Sequence, residues 1–92
     1  VRHTPKNLKF HELIGLRIRV LHHSDPTLVG LEGVVVDETR NTFRVCCNGK
    51  EKLVPKLYGV FEFLLPSGRR VVLDGSEVLG RPEDRLKRVK EL

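Results

Sequence analysis

Between Ile14 and Leu79 the chain runs in short stretches of alternating apolar and polar residues, each closed by a turn signal. That pattern points to antiparallel β-structure, because a period of two places every other side chain on one face. Ile14, Leu16, Ile18 and Val20 alternate with Gly15, Arg17, Arg19 and Leu21, a half-buried strand. The polar stretch His22 to Thr27, with Asp25-Pro26, is a loop. A second strand follows over 28–37, its alternation broken near Gly33, where a bulge or tight bend fits. Glu38 to Asn41 turns the chain into Thr42–Cys47, and Asn48-Gly49 is the strongest hairpin signal present. Glu51 to Val54, Tyr58 to Leu65 and Arg70 to Leu73 supply further strands, with Ser76 to Leu79 as a last short one. Five or six short strands at roughly 8–12-residue spacing predict an all-β domain, a small antiparallel barrel or sandwich.

The two ends read differently. Thr4-Pro5 suits a helix start, and Phe10, Leu13 and Ile14 share one helical face with Leu8 beside it. Arg81-Pro82-Glu83-Asp84 reads as another helix start, with Lys87, Arg88 and Lys90 in the last turn, where the helix dipole favours cations. The expected organisation is one domain: an arm and short helix over 1–13, a barrel over 14–80 and a basic helix over 81–92. The first residue, Val1, reads as a trimmed or partial chain.

Charge follows the same division. Of 17 Lys and Arg against 12 Asp and Glu, residues 1–20 hold five basic and one acidic, and residues 81–92 hold five and three. The middle is slightly acidic, so the formal excess of +5 lies at the two ends. Basic ends on a near-neutral body suggest a polyanion partner. At 92 residues the chain hides roughly 60–65% of its unfolded surface, too small a core for a deep enzyme pocket. Nothing approaches the ~18–20 apolar residues of a membrane helix. Cys46 and Cys47 are adjacent and on a strand would face opposite ways, which argues against a disulfide or zinc site and for a reducing, cytoplasmic setting.

Catalytic constellations are not legible. His22 and His23 lack ligand spacing, and Ser24, Ser67 and Ser76 sit in turn contexts without a nucleophile-elbow pattern. Asp37-Glu38 and Glu83-Asp84 suit a turn and a helix first turn. We expect no catalytic residue, metal or cofactor on this chain.

Nucleic-acid binding fits better, in a particular mode. Phe61 and Phe63 fall on one strand face and read as core, leaving no obvious platform for stacking unpaired bases. Basic side chains without exposed aromatics suit phosphate contacts on folded RNA or a duplex. Arg17 and Arg19 share the solvent face of the first strand, and Arg81, Arg85 and Arg88 share one helical face. The apolar face of the N-terminal helix either closes the barrel or docks a partner protein through Leu8, Phe10 and Leu13.

The run ELIGLRIRVLHHSDPTLVGLEGVVVDETRNTF, the later VPK and the ending LDGSEVLGRPEDRLKR together resemble the 29-kDa-type ribonuclease P protein subunit family, whose archaeal branch is called component 1. The likeness spans roughly residues 11–88. It implies an Sm-like twisted barrel with helical ends, assembled with a catalytic RNA that removes the 5′ leader from precursor tRNA. The RNA would perform the hydrolysis with Mg2+, while this subunit type pairs with a zinc-ribbon subunit and is associated with the RNA's specificity domain. By that resemblance, partner-protein contacts map to Leu8–Leu13 and to the strand carrying Leu28, Val29 and Leu31. RNA contacts map to Lys56, Arg81, Arg85, Lys87 and Arg88, with Arg17 added from its place on the first strand. The alternatives are a ribosomal SH3-like, KOW-type protein, an Sm-like ring and a protein–protein adaptor.

Overall fold

The structure, a computed structural model, describes residues 13–80. It is all-β, with six antiparallel strands: β1 (Arg17–His23), β2 (Glu32–Glu38), β3 (Thr42–Cys47), β4 (Lys50–Pro55), β5 (Gly59–Leu64) and β6 (Arg70–Asp74). They form one sheet in the order β4-β3-β2-β1-β5-β6. The expected helices at 5–13 and 81–92 lie outside the described residues, apart from Leu13.

Alternation organises the strands as the sequence implies. Leu16, Ile18 and Val20 point inward, as do Phe43 and Val45 on β3 and Phe61 and Phe63 on β5. Asn48 and Gly49 adopt φ of 51° and 80°, the paired left-handed conformation of a type I′ hairpin, and join β3 to β4. Hydrogen-bonded neighbours in a sheet lie about 4.8 Å apart, so β3 and β5, with two strands between them, would be about 14 Å apart if the sheet were flat. Instead the Phe43 ring meets the Phe61 and Phe63 rings edge-on, with centroids 5.5 and 5.9 Å apart. The sheet is therefore rolled into a barrel-like form around these three rings.

Bonds just beyond the strands hold the residues that follow each edge of the sheet. The Lys56 N–H, just beyond β4, donates to the Asn41 carbonyl at 2.8 Å, and the Gly80 N–H donates to the Arg40 carbonyl at 2.8 Å. The His23 ring links the end of β1 to β4 through Nε2 and the Pro55 carbonyl (2.9 Å), while Nδ1 accepts from the Asp25 N–H (2.9 Å).

Several local expectations are corrected. Ile14 is 38% exposed, because it lies in a turn where the Leu16 N–H bonds the Leu13 carbonyl and the Gly15 N–H bonds Val35. The inward series starts at Leu16. Residues 28–31 are not strand: Asp25 caps a 3-10 turn at Pro26–Leu28, accepting from the Thr27 N–H (3.0 Å) and hydroxyl (2.7 Å). The bulge in β2 falls between Val35 and Asp37, not at Gly33. Gly33 answers a different need, since a Cβ there would overlap the Cys46 carbonyl of β3. The segment 76–79 is likewise not a strand; a 3-10 turn at Gly75–Val78 carries a reciprocal cap between Asp74 and Glu77.

Candidate nucleic-acid interface

Period-two alternation puts Arg17 and Arg19 on the outer face of β1, opposite the core residues Ile18 and Val20. Register then decides their neighbours. Arg17 pairs with Leu64 of β5, which pairs with Arg70 of β6, so two arginines flank one leucine across three strands. In the next row Arg19 pairs with Glu32 on one side and Glu62 on the other. The result is a shallow groove of about 230 Å³ lined by Arg17, Arg19, Arg70, Glu32, Glu62 and Leu64, with Ile18 backing it.

Its electrostatics are mixed. Arg19 Nε lies 3.2 Å from Glu32, and an Arg70 terminal nitrogen lies 3.8 Å from Glu62. Arg17 enters no ion pair among the described residues. Pairs this exposed contribute about 0–1 kcal/mol, so they hold the guanidiniums only loosely. A phosphate offers them shorter, charge-assisted and bidentate bonds. Three cations against two carboxylates leave one net positive charge, the complement of a single phosphate. The groove has the charge to seat one phosphate and too little to attract a polyanion by itself.

The sequence-predicted site residues fare unequally. Arg17 lies exposed in the groove. Lys56 does not face solvent: it is fully buried, its Nζ bonded to Glu38, Thr39 and Gly80. A phosphate cannot reach it without opening the barrel, so Lys56 is withdrawn as an RNA contact. Leu13 and Leu28 are core residues and not free docking anchors, while Leu31 packs against the core and stays half-buried. Val29, 48% exposed, is open to a partner protein. Leu8, Phe10, Arg81, Arg85, Lys87 and Arg88 lie outside the described residues.

Sequence reasoning missed Arg70, whose link to Arg17 exists only through strand register. It missed Glu38, assigned to a turn but buried at the end of β2. It also overlooked Tyr58, which is 78% exposed on the turn between β4 and β5 at a left-handed φ of 65°. One exposed ring serves one base and does not make a track for a single strand.

The profile of the family described as ribonuclease P/MRP, subunit p29, matches residues 6–88. The chain belongs to this family. It is 49% identical over 90 residues to ribonuclease P protein component 1 of Staphylothermus marinus, covering 97% of this chain and 98% of that protein. The protein of the same name from Methanosphaera stadtmanae is 46% identical over 85 residues, covering 92% and 91%. A solved structure described as Mth11, a homologue of the human RNase P protein Rpp29, superposes with a TM-score of 0.62 at 46% identity, over 82% of this chain and 97% of that one. In this p29-family chain the outer groove of β1, β2, β5 and β6 is therefore a surface of a ribonuclease P-type protein.

Proposed function

We propose that this chain is an RNA-binding, non-catalytic subunit of ribonuclease P, supporting an RNA catalyst that uses Mg2+ to remove the 5′ leader from precursor tRNA in the cytoplasm. The observation that carries the reading is the family match, which spans the barrel and reaches into both basic ends. The chemistry agrees with it. Arg17 on the groove and Arg81, Arg85, Lys87 and Arg88 beyond the barrel supply phosphate contacts, which position a folded RNA without reading its bases. The N-terminal residues Leu8 and Phe10, with Val29, supply an apolar contact for a zinc-ribbon protein subunit.

Counterion release makes the RNA reading measurable. Removing one cation from a phosphate should flatten the dependence of log affinity on log salt by about 0.7–0.9. Replacing Arg81, Arg85 and Arg88 together by Ala should therefore lower the slope by about 2–3, and Arg17→Ala by about 1. Titrating ribonuclease P RNA between 50 and 200 mM salt, with and without the zinc-ribbon subunit, checks both. Unchanged slopes would remove these residues from the RNA interface. Failure of the zinc-ribbon protein to co-migrate with the chain would remove the pairing.

A further inference from the structure

Among the described residues, Lys56 is the lysine that the barrel takes inside: its side chain and that of Glu38 are both at 0% exposure, joined at 2.7 Å. Nζ also donates to the Thr39 carbonyl at 2.8 Å and the Gly80 carbonyl at 2.9 Å, and lies 5.0 Å from the centre of the Phe43 ring. As a source of stability such a pair is a poor choice, because apolar residues of similar volume often do as well without the desolvation penalty. What an ammonium offers and a methyl does not is directed bonds to several acceptors at once. Here the acceptors come from the end of β2, the β2–β3 turn and the residue that precedes Arg81.

That last acceptor is the informative one. The Gly80 carbonyl belongs to the peptide unit joining Gly80 to Arg81. The N–H on the other side of the same residue donates to the Arg40 carbonyl at 2.8 Å. Gly80 itself is buried, with φ of 93°, a conformation natural to glycine. Both peptide groups flanking Gly80 are therefore held, one by the β2–β3 turn and the other by Lys56. The barrel thus fixes the backbone on both sides of its last described residue.

We infer that Lys56, held by Glu38, is a positioning residue for the RNA-binding segment that begins at Arg81. It contacts no RNA. It fixes the origin from which Arg81, Arg85 and Arg88 address phosphates, so less chain freedom is lost on binding. The inference rests on the reading of that segment as RNA-facing.

Two signatures separate this role from others. Loss of a phosphate ligand flattens the salt slope, whereas loss of an anchor weakens binding at every salt concentration and leaves the slope alone, because the same cations still meet phosphates. An anchor also acts only through what it anchors, so its effect disappears once the arginines are gone. The experiment titrates ribonuclease P RNA with four full-length chains: the parent, Lys56→Met with Glu38→Leu, the Arg81, Arg85 and Arg88 triple Ala variant, and the combination. Removing both charges together avoids leaving either charge buried without its opposite in the pair. The expected result is a cooperatively folded double variant, about tenfold weaker in binding at the parental slope, with no further loss in the triple-Ala background. Parental affinity, a slope reduced by about one, or an equal loss in the triple-Ala background would each overturn the inference. A triple-Ala variant that binds like the parent would overturn it too, through failure of the RNA reading itself, and is recognised without the Lys56 variants. Should the double variant not fold, two glycines inserted between Gly80 and Arg81 decouple the segment while leaving the Lys56 contacts in place. The same weakening at unchanged slope supports the inference, and parental affinity refutes it.

Discussion

At the scale of single residues, environment outweighs type. Lys50 and Lys52 on β4 are solvated, while Lys56, one residue beyond that strand, is enclosed by acceptors from residues 38, 39 and 80. The difference has an energetic consequence. Lys56→Met alone takes the ammonium away from a buried Glu38 carboxylate and should destabilise the fold by about 3–5 kcal/mol in denaturant unfolding. Adding Glu38→Leu should recover part of that loss, since no charge of the pair stays buried while the Thr39 and Gly80 carbonyls still lose their ammonium donor. A double variant no more stable than the single one would show that the pair's charges contribute net stability. Gly33 makes the same point through size, because its missing Cβ lets β2 pass the Cys46 carbonyl.

Individual elements are governed by their ends. The hairpin at Asn48-Gly49 and the cap at Asp25 are short-range devices, built from residues adjacent in the chain. Asp74 is a third: its carboxylate accepts the Ser76 N–H and hydroxyl at 2.9 Å each, and these bonds hold its pKa below the usual aspartate value of 3.8. A carboxyl group depressed in the folded state contributes stability above its unfolded pKa, and that contribution fades as pH falls through the folded value. Asp74→Ala should therefore melt below the parent at pH 7, and the gap should begin to narrow near pH 3.8 and close only below the lowered folded value. A gap that is constant with pH would mean that the cap does not depend on ionisation. The 3-10 turn that Asp74 starts leads to Gly80, whose N–H closes on the Arg40 carbonyl.

For the whole molecule, closure is decided by a few aromatic rings. Phe43 touches both Phe61 and Phe63 across the rolled sheet. Phe43→Ala should cost about 3–5 kcal/mol, a large share of the 5–15 kcal/mol typical of a domain. Urea unfolding measures it, and a loss below about 1 kcal/mol, well under that range, would mean the sheet is held rolled by other contacts. The groove on the outer surface follows from strand register, which sets Arg17 and Arg70 on either side of Leu64.

What is legible in the chain alone follows from range. Alternation, turn chemistry and capping act over a few residues, so the sequence by itself determined the all-β class, the Asn48-Gly49 hairpin, the inward Phe61 and Phe63 and the outward Arg17 and Arg19. Its motifs, in their order and spacing, also determined the family. The 3-10 turn after Asp25 escapes such reasoning because the apolar run Leu28 to Leu31 resembles a strand whichever way it folds. Only the tertiary structure decided that Lys56 is buried, that Glu38 belongs beside it, that Arg70 joins Arg17 and that Tyr58 meets solvent. The reason is physical: burying an ammonium is tolerable only where acceptors converge, and for Lys56 they lie 17, 18 and 24 positions away, brought together by closure of the sheet.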